Sequence, residues 1–127
     1  VQALDALYAQ YGDYRERLLS FTFEGMAGMK KREMVMRTLR ESPPATVAGN
    51  DIVTVDDFAE GVSGLHSLPR ADVLRLHLAN GATLVVRPSG TEPKIKVYLF
   101  AQGKTQADSE AMLARLSAWV FEWIETV

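Results

Sequence analysis

The dipeptide Asn80-Gly81 restricts the fold of this chain more than any other feature, because it separates two short apolar runs. Asn-Gly between such runs is the strongest short-range signal for a β-hairpin. The flanking runs, Val73 to Leu78 and Ala82 to Val86, have the length of strands. Leucines alternate along the first run, which predicts one buried and one exposed face. We therefore predict an antiparallel hairpin within a sheet that has one buried face.

The spacing of apolar residues elsewhere predicts further strands and helices. Period-two alternation at Leu19, Phe21 and Phe23 indicates another strand with one buried face. Thr105 opens a Thr-x-x-Asp segment that is typical of a helix start, and apolar residues at helical spacing follow it. The remaining predicted elements are helices at residues 2–11 and 29–41 and strands at residues 47–48, 52–55 and 95–100.

The length of 127 residues fits one domain, and a hydrophobic content of 47% is enough to bury a core. The first residue is Val1 rather than Met, and a helical pattern begins at once. We interpret residues 1–12 as the terminal helix of a preceding domain or a linker, and residues 13–127 as one domain that begins with polar connecting chain at residues 13–17. The chain is therefore expected to be a piece of a longer protein.

Charge and composition exclude several classes of protein. The net charge of −2 and the pI near 5.7 argue against a nucleic-acid partner, so the basic residues of the helix predicted at 29–41 are interpreted as a solvated face. The absence of cysteine excludes disulfides and thiolate metal sites. No apolar stretch approaches the roughly 18 residues of a membrane span, and no signal peptide opens the chain. A soluble, cytoplasmic protein without a membrane partner is expected.

The segment between the strands predicted at 82–86 and 95–100 has the chemistry of an anion site. It reads Arg-Pro-Ser-Gly-Thr-Glu-Pro-Lys-Ile-Lys from Arg87 to Lys96. Its glycine lets the backbone approach a ligand, its serine and threonine provide hydroxyl groups, and its arginine can bind two oxygens at once. Phosphate is the ligand that fits these groups. A plain turn is the alternative, since Pro and Gly stand where a type I turn prefers them.

The sequence contains no recognisable set of residues for catalysis or metal binding. His66 and His77 are far apart and have no cysteine partners, so they do not make a zinc site. The adjacent carboxylates Asp56 and Asp57 are interpreted as strand-end solvation, because a magnesium site needs acidic side chains that converge from separate points. No catalytic residue and no metal ligand is therefore assigned.

The run from Arg87 to Tyr98 resembles the phosphate-binding loop of the α-D-phosphohexomutases, the family of phosphoglucomutases and phosphomannomutases. The Phe-Thr-Phe-Glu-Gly-x-x-Gly stretch from Phe21 to Gly28 is most similar to the phosphoglucomutase branch. The resemblance implies that residues 1–12 end the third domain and that the C-terminal domain follows. The implied fold is α+β and like that of the TATA-binding protein: an antiparallel sheet of four to five strands with two helices packed on one face, preceded by the short N-terminal helix.

The resemblance also implies which residues bind the ligand. The matching phosphate-binding positions are Arg87, Ser89, Gly90, Thr91 and Lys96. Many members have arginine at the last of these positions, and lysine keeps the charge but loses the bidentate fork. The loop is implied to hold the phosphate that is not transferred, which orients the sugar for reaction. The implied partners are a sugar phosphate and the other domains of the same full-length chain.

The full-length enzymes that this chain resembles are isomerases that shift a phosphoryl group within a sugar phosphate, as from glucose 1-phosphate to glucose 6-phosphate. The implied reaction passes through a hexose 1,6-bisphosphate and uses Mg²⁺. The family's phosphoserine motif and Asp-rich magnesium motif do not occur in this sequence, so the chain alone is expected to be inactive. Glucose, mannose, a pentose and an amino sugar all stay open as the sugar. A stand-alone phosphate-binding or interaction module without an enzymatic parent is the alternative.

Overall fold

The structure is a computed structural model that describes residues 13–57, 72–89 and 92–127. In these ranges six strands and two helices follow one another in the order β1, α1, β2, β3, β4, β5, β6 and α2. Their bounds are Asp13–Thr22 for β1, Gly25–Glu41 for α1, Thr46–Val47 for β2, Asn50–Asp57 for β3, Leu74–Leu78 for β4, Thr83–Pro88 for β5, Lys94–Gly103 for β6 and Gln106–Thr126 for α2.

The six strands form one antiparallel sheet in the order β1-β6-β5-β4-β3-β2. From β2 to β6 each strand lies beside the next one in sequence, whereas β1 lies at the far edge beside β6. The β1–β6 pair runs from Asp13 opposite Gly103 to Thr22 opposite Lys94. The loop that precedes Lys94 therefore lies beside the point where β1 leads into α1.

One face of the sheet is buried because apolar residues alternate along its strands. In β4, Leu74, Leu76 and Leu78 are between 0% and 4% exposed, while Arg75 and His77 between them are only half-buried. Both helices cover this face, since their apolar residues belong to the same buried cluster as those of the strands. The helix residues of the core are Val35, Met36 and Leu39 of α1 and Leu113, Leu116, Val120 and Ile124 of α2. The opposite side of the sheet is called the outer face below.

The hairpin at Asn80-Gly81 is confirmed, and its turn spans three residues. The Gly81 N–H donates to the Leu78 carbonyl at 3.0 Å, and the Ala82 N–H donates to Asn80 Oδ1 at 3.0 Å. Gly81 has a φ of +91°, a left-handed conformation that a side chain rarely adopts. The glycine supplies the positive φ and the asparagine supplies a side-chain acceptor, so each residue of the pair has its own role in the turn.

The α+β fold with two helices on one face of an antiparallel sheet is confirmed, with six strands instead of four to five. The strands predicted at 47–48 and 52–55 are both present, as β2 and β3, and are joined at Ala48-Gly49, where φ is 51° and 83°, so the sheet has more strands than the resemblance implied. Residues 13–17 form the first half of β1 instead of connecting chain, and α1 begins at Gly25 instead of Met29. The helix predicted at residues 1–12 lies outside the described residues. No helix of the described ranges is long and apolar enough to cross a membrane.

Candidate functional site

Two cations of the predicted site lie side by side at the end of the β5–β6 hairpin. Arg87 and Lys96 are directly opposite each other in the β5–β6 register. The neighbouring pair, Val86 and Val97, is buried in the core, so strand alternation directs Arg87 and Lys96 to the outer face. Directly opposite residues have Cβ atoms about 5 Å apart, so one anion can reach both charges. The structure thus brings together two residues that are nine positions apart in the sequence.

The loop between these strands is closed by its own hydrogen bonds. The Ser89 N–H donates to the Lys94 carbonyl at 2.8 Å, and the Glu92 N–H donates to Ser89 Oγ at 3.2 Å. The Lys94 N–H donates to the Glu92 carbonyl at 2.7 Å, and the Lys94 ammonium pairs with the Glu92 carboxylate at 3.1 Å. These bonds fix Ser89 at the end of β5, next to Arg87. The other two predicted site residues, Gly90 and Thr91, lie outside the described residues.

Helix α1 and the end of β1 hold the loop from outside. Arg32 Nη1 donates to the Glu92 carbonyl at 3.1 Å, and the Phe23 N–H donates to the Pro93 carbonyl at 2.6 Å. Sequence reasoning missed both contacts and interpreted the basic residues of α1 as a solvated face. Arg32 and Glu92 are 60 positions apart, and no local pattern indicates that they meet. Only the pairing of β1 with β6 brings α1 next to the loop.

A cavity of about 580 Å³ separates the loop from α1. Among the described residues it is lined by Arg32, Glu33, Met36, Arg37, Arg40, Asp72, Pro88 and Ser89. Arg40 is engaged by two carboxylates, since its guanidinium pairs with Asp57 at 3.1 Å and also with Asp72. Arg32 and Arg37 carry the other positive charges of this cavity. Ser89 thus follows Arg87 by two residues and lines the same cavity as the arginines of α1.

A separate ion cluster on the outer face joins β3 and β4. Arg75 donates to Asp56 Oδ2 from Nε at 3.0 Å and from Nη2 at 2.9 Å, and His77 Nε2 lies 3.0 Å from the same oxygen. The neighbouring carboxylate, Asp57, lies on the core side and binds Arg40. The two aspartates lie at the end of β3, as predicted, but both are paired with arginines instead of being held only by solvent. They point to opposite faces of the sheet, where each is bound by an arginine.

The Asp56 cluster predicts a pH dependence of stability. Hydrogen bonds from Arg75 lower the pKa of Asp56 below its ordinary value, partial burial opposes this effect, and His77 adds to it. A lowered folded-state pKa stabilises the fold above about pH 4, and this stabilisation is lost as the pH falls through the folded value. We expect Asp56→Asn to lower the free energy of unfolding by about 1 kcal/mol at neutral pH, and the difference from the parent to shrink under acid.

Urea denaturation between about pH 7 and about pH 3 measures this effect. The control is Asp51→Asn, which removes an exposed carboxylate from the same strand. A difference between the Asp56 variant and the parent that stays constant over this range would contradict the prediction.

Comparison with known proteins places the chain in a family. The family model described as "Phosphoglucomutase/phosphomannomutase, C-terminal domain" matches residues 31–117, from the first turns of α1 to the middle of α2. The chain belongs to this family. The matched range includes the loop, both flanking strands and Arg32, so the candidate site lies within the part that defines the family.

Curated relatives carry the names of both family branches. The phosphoglucomutase of Staphylococcus saprophyticus is 35% identical over 106 residues, which cover 76% of this chain and 19% of that protein. The probable phosphomannomutase of Haemophilus influenzae is 34% identical over 116 residues, which cover 91% of this chain and 22% of that protein. The chain thus spans about a fifth of the length of these relatives. The resemblance to the phosphohexomutase family is confirmed.

Proposed function

We propose that this phosphohexomutase C-terminal domain binds the phosphate of a sugar phosphate with the loop from Arg87 to Lys96. The observation that carries the proposal is the cross-strand pair of Arg87 and Lys96 beside Ser89. A dianionic phosphate between two cations gains charge-assisted hydrogen bonds, which are roughly twice as strong as neutral ones. Arg87 can bind two phosphate oxygens with its planar fork, and Lys96 adds a point charge. Gly90 and Thr91 complete the proposed set of binding residues.

In the proposed mechanism this domain positions the substrate and makes no covalent bond to it. The loop holds the phosphate that stays on the sugar, so that the other end of the sugar is presented to the rest of the enzyme. Restricting the freedom of a bound reactant lowers the barrier of the reaction that follows. The complete protein is proposed to be an isomerase that moves a phosphoryl group within a hexose, of the glucose 1-phosphate to glucose 6-phosphate type. The chain by itself is proposed to bind without turnover.

The complete isomerase is proposed to use Mg²⁺ at a site that lies outside this chain. Among the residues that the structure describes, no group of three or more His, Cys, Asp or Glu side chains could hold a metal ion. The role proposed for this chain is phosphate binding. Its proposed partners are the sugar phosphate and the other domains of a longer protein, and the hexose 1,6-bisphosphate is proposed as the intermediate or activator of the complete enzyme. A cytoplasmic location, without nucleic-acid or membrane partners, is part of the same proposal.

Replacing Arg87 tests the binding role directly. We expect Arg87→Ala to weaken binding of glucose 6-phosphate by about 2 kcal/mol, roughly 30-fold, because a hydrogen bond between charged groups is lost. Titration followed by the amide resonances of β5 and β6 measures the affinity. Arg115→Ala is the matched control, since it removes an exposed arginine from α2. Equal affinities of the Arg87 variant and the control variant would refute the proposed function.

A further inference from the structure

Within the part of the chain that the structure describes, the Arg32 side chain of α1 makes one hydrogen bond, and that bond is to the loop. Its Nη1 donates to the Glu92 carbonyl oxygen at 3.1 Å. No carboxylate of the described residues pairs with its guanidinium. An arginine that binds a backbone carbonyl and no acidic partner keeps its charge and fixes a peptide group. The peptide group it fixes belongs to the proposed phosphate-binding loop.

Glu92 transmits this contact to a binding residue of the loop. Its carbonyl accepts from Arg32 and also from the Lys94 N–H at 2.7 Å, so both acceptor sites of the oxygen are used. Its own N–H donates to Ser89 Oγ at 3.2 Å. The hydrogen bond from α1 thus orients the carbonyl of Glu92, and the N–H of the same residue orients the Ser89 hydroxyl. Two hydrogen bonds in series, from Arg32 to Glu92 and from Glu92 to Ser89, connect the helix to the proposed phosphate site.

The next residue of the loop is tied to the same helix. The Pro93 carbonyl accepts the Phe23 N–H at 2.6 Å. Phe23 lies against the first turn of α1, because a Cβ built on Gly28 would be only 2.4 Å from the Phe23 carbonyl carbon. Two consecutive loop carbonyls are therefore held by α1, the first by Arg32 directly and the second through Phe23. The helix therefore holds the backbone of the loop at residues 92 and 93.

We infer that Arg32 is a positioning residue, which raises phosphate affinity by holding the loop in its binding conformation through the Glu92 carbonyl. This inference rests on the proposed function, since it assigns Arg32 a role in the same site. A loop that is held before the ligand arrives loses less conformational freedom on binding. The competing explanation is that Arg32 acts only through its positive charge. Arg37 separates the two, because it lies on the same helix and lines the same cavity but makes no hydrogen bond to the loop carbonyls at residues 87–89 and 92–96.

The experiment compares Arg32→Met with Arg37→Met in titrations of the chain with inorganic phosphate. We expect Arg32→Met to weaken binding about 3- to 10-fold, the net value of one hydrogen bond, and Arg37→Met to change it less than about 2-fold. We also expect the amide resonances of Ser89, Glu92 and Lys94 to shift in ligand-free Arg32→Met and to stay in place in Arg37→Met. Arg32→Lys, which keeps a donor, is expected to recover part of the affinity.

Three results would overturn the positioning role. The first is equal loss of affinity in both methionine variants, which would make the effect one of charge. The second is weaker binding by Arg32→Met with unshifted ligand-free amides, which would make Arg32 a direct ligand or a charge alone. The third is unchanged binding by Arg32→Met. If Arg87→Ala weakens binding in the same titration while Arg32→Met does not, the positioning role fails and the proposed function stands.

Discussion

Replacing Leu99 by alanine is expected to lower the free energy of unfolding by about 4 kcal/mol. Leu99 is fully buried in β6, where Leu84 of β5 lies opposite it on one side and β1 lies on the other. Truncation at such a site loses the transfer free energy of the side chain and leaves a cavity that a strand with two neighbours cannot close. Domains are stable by only about 5–15 kcal/mol, so the variant loses a large part of its margin.

Urea denaturation followed by tryptophan fluorescence measures this loss. Trp119 and Trp123 are suitable reporters, because their rings stack at 5.9 Å and pack against the core. The control is Leu18→Ala, which makes the same truncation at a side chain of β1 that is 50% exposed. The control is expected to lose less than about 1 kcal/mol. Similar losses in the two variants would contradict the placement of the core.

Replacing Gly28 by alanine is expected to destabilise the fold by about 3 kcal/mol, although helix propensity alone predicts the opposite sign. Alanine is better than glycine in a helix by about 1 kcal/mol. At this position, however, the added Cβ would lie 2.4 Å from the carbonyl carbon and 2.7 Å from the carbonyl oxygen of Phe23. These are backbone atoms, which cannot rotate away as a side chain does, so α1 and the end of β1 must separate. The contact of Phe23 with the Pro93 carbonyl is then strained as well.

Thermal and urea unfolding of Gly28→Ala tests this sign. Ala27→Gly is the companion variant, since Ala27 is an exposed residue of the same turn, and it is expected to cost about 1 kcal/mol as propensity dictates. A Gly28→Ala protein more stable than the parent would show that α1 does not approach β1 so closely. A stable variant with displaced loop amides would show that the strain is relieved in the loop.

Much of the fold could be predicted because alternation, turn residues and helix-start residues are local features of the sequence. Alternating leucines placed β4, the Asn80-Gly81 pair placed its turn, and Thr105 marked the residue before α2, where its side chain accepts from the Asp108 N–H. Arg87 and Lys96, which the resemblance implied as phosphate-binding positions, lie opposite each other because they flank a short loop between two alternating strands. Periodicity therefore suffices where a residue's neighbours are close in sequence.

The remaining features depend on contacts that periodicity does not encode. Residues 13–17 are polar, yet they form a strand because the long β6 offers them a partner along its whole length. Arg17 of this segment donates to Ser117 of α2 at 3.2 Å, so its stem covers the helix in place of an apolar side chain. The bond from Arg32 to Glu92 likewise exists only after β1 has paired with β6. For this reason the sequence indicated the loop residues of the candidate site but not the contact that α1 makes with the loop.

The two outer strands of the sheet also bear on the solubility of folding intermediates. An edge strand presents unpaired backbone groups to which another chain can add, and this is a common start of aggregation. In the part of the chain that the structure describes, the sheet ends at β1 on one side and β2 on the other. The first carries three consecutive charges at Arg15, Glu16 and Arg17, and the second is only two residues long. Charge at the β1 edge disfavours the addition of a foreign strand there, whereas β2 covers only Asn50 and Asp51 of β3.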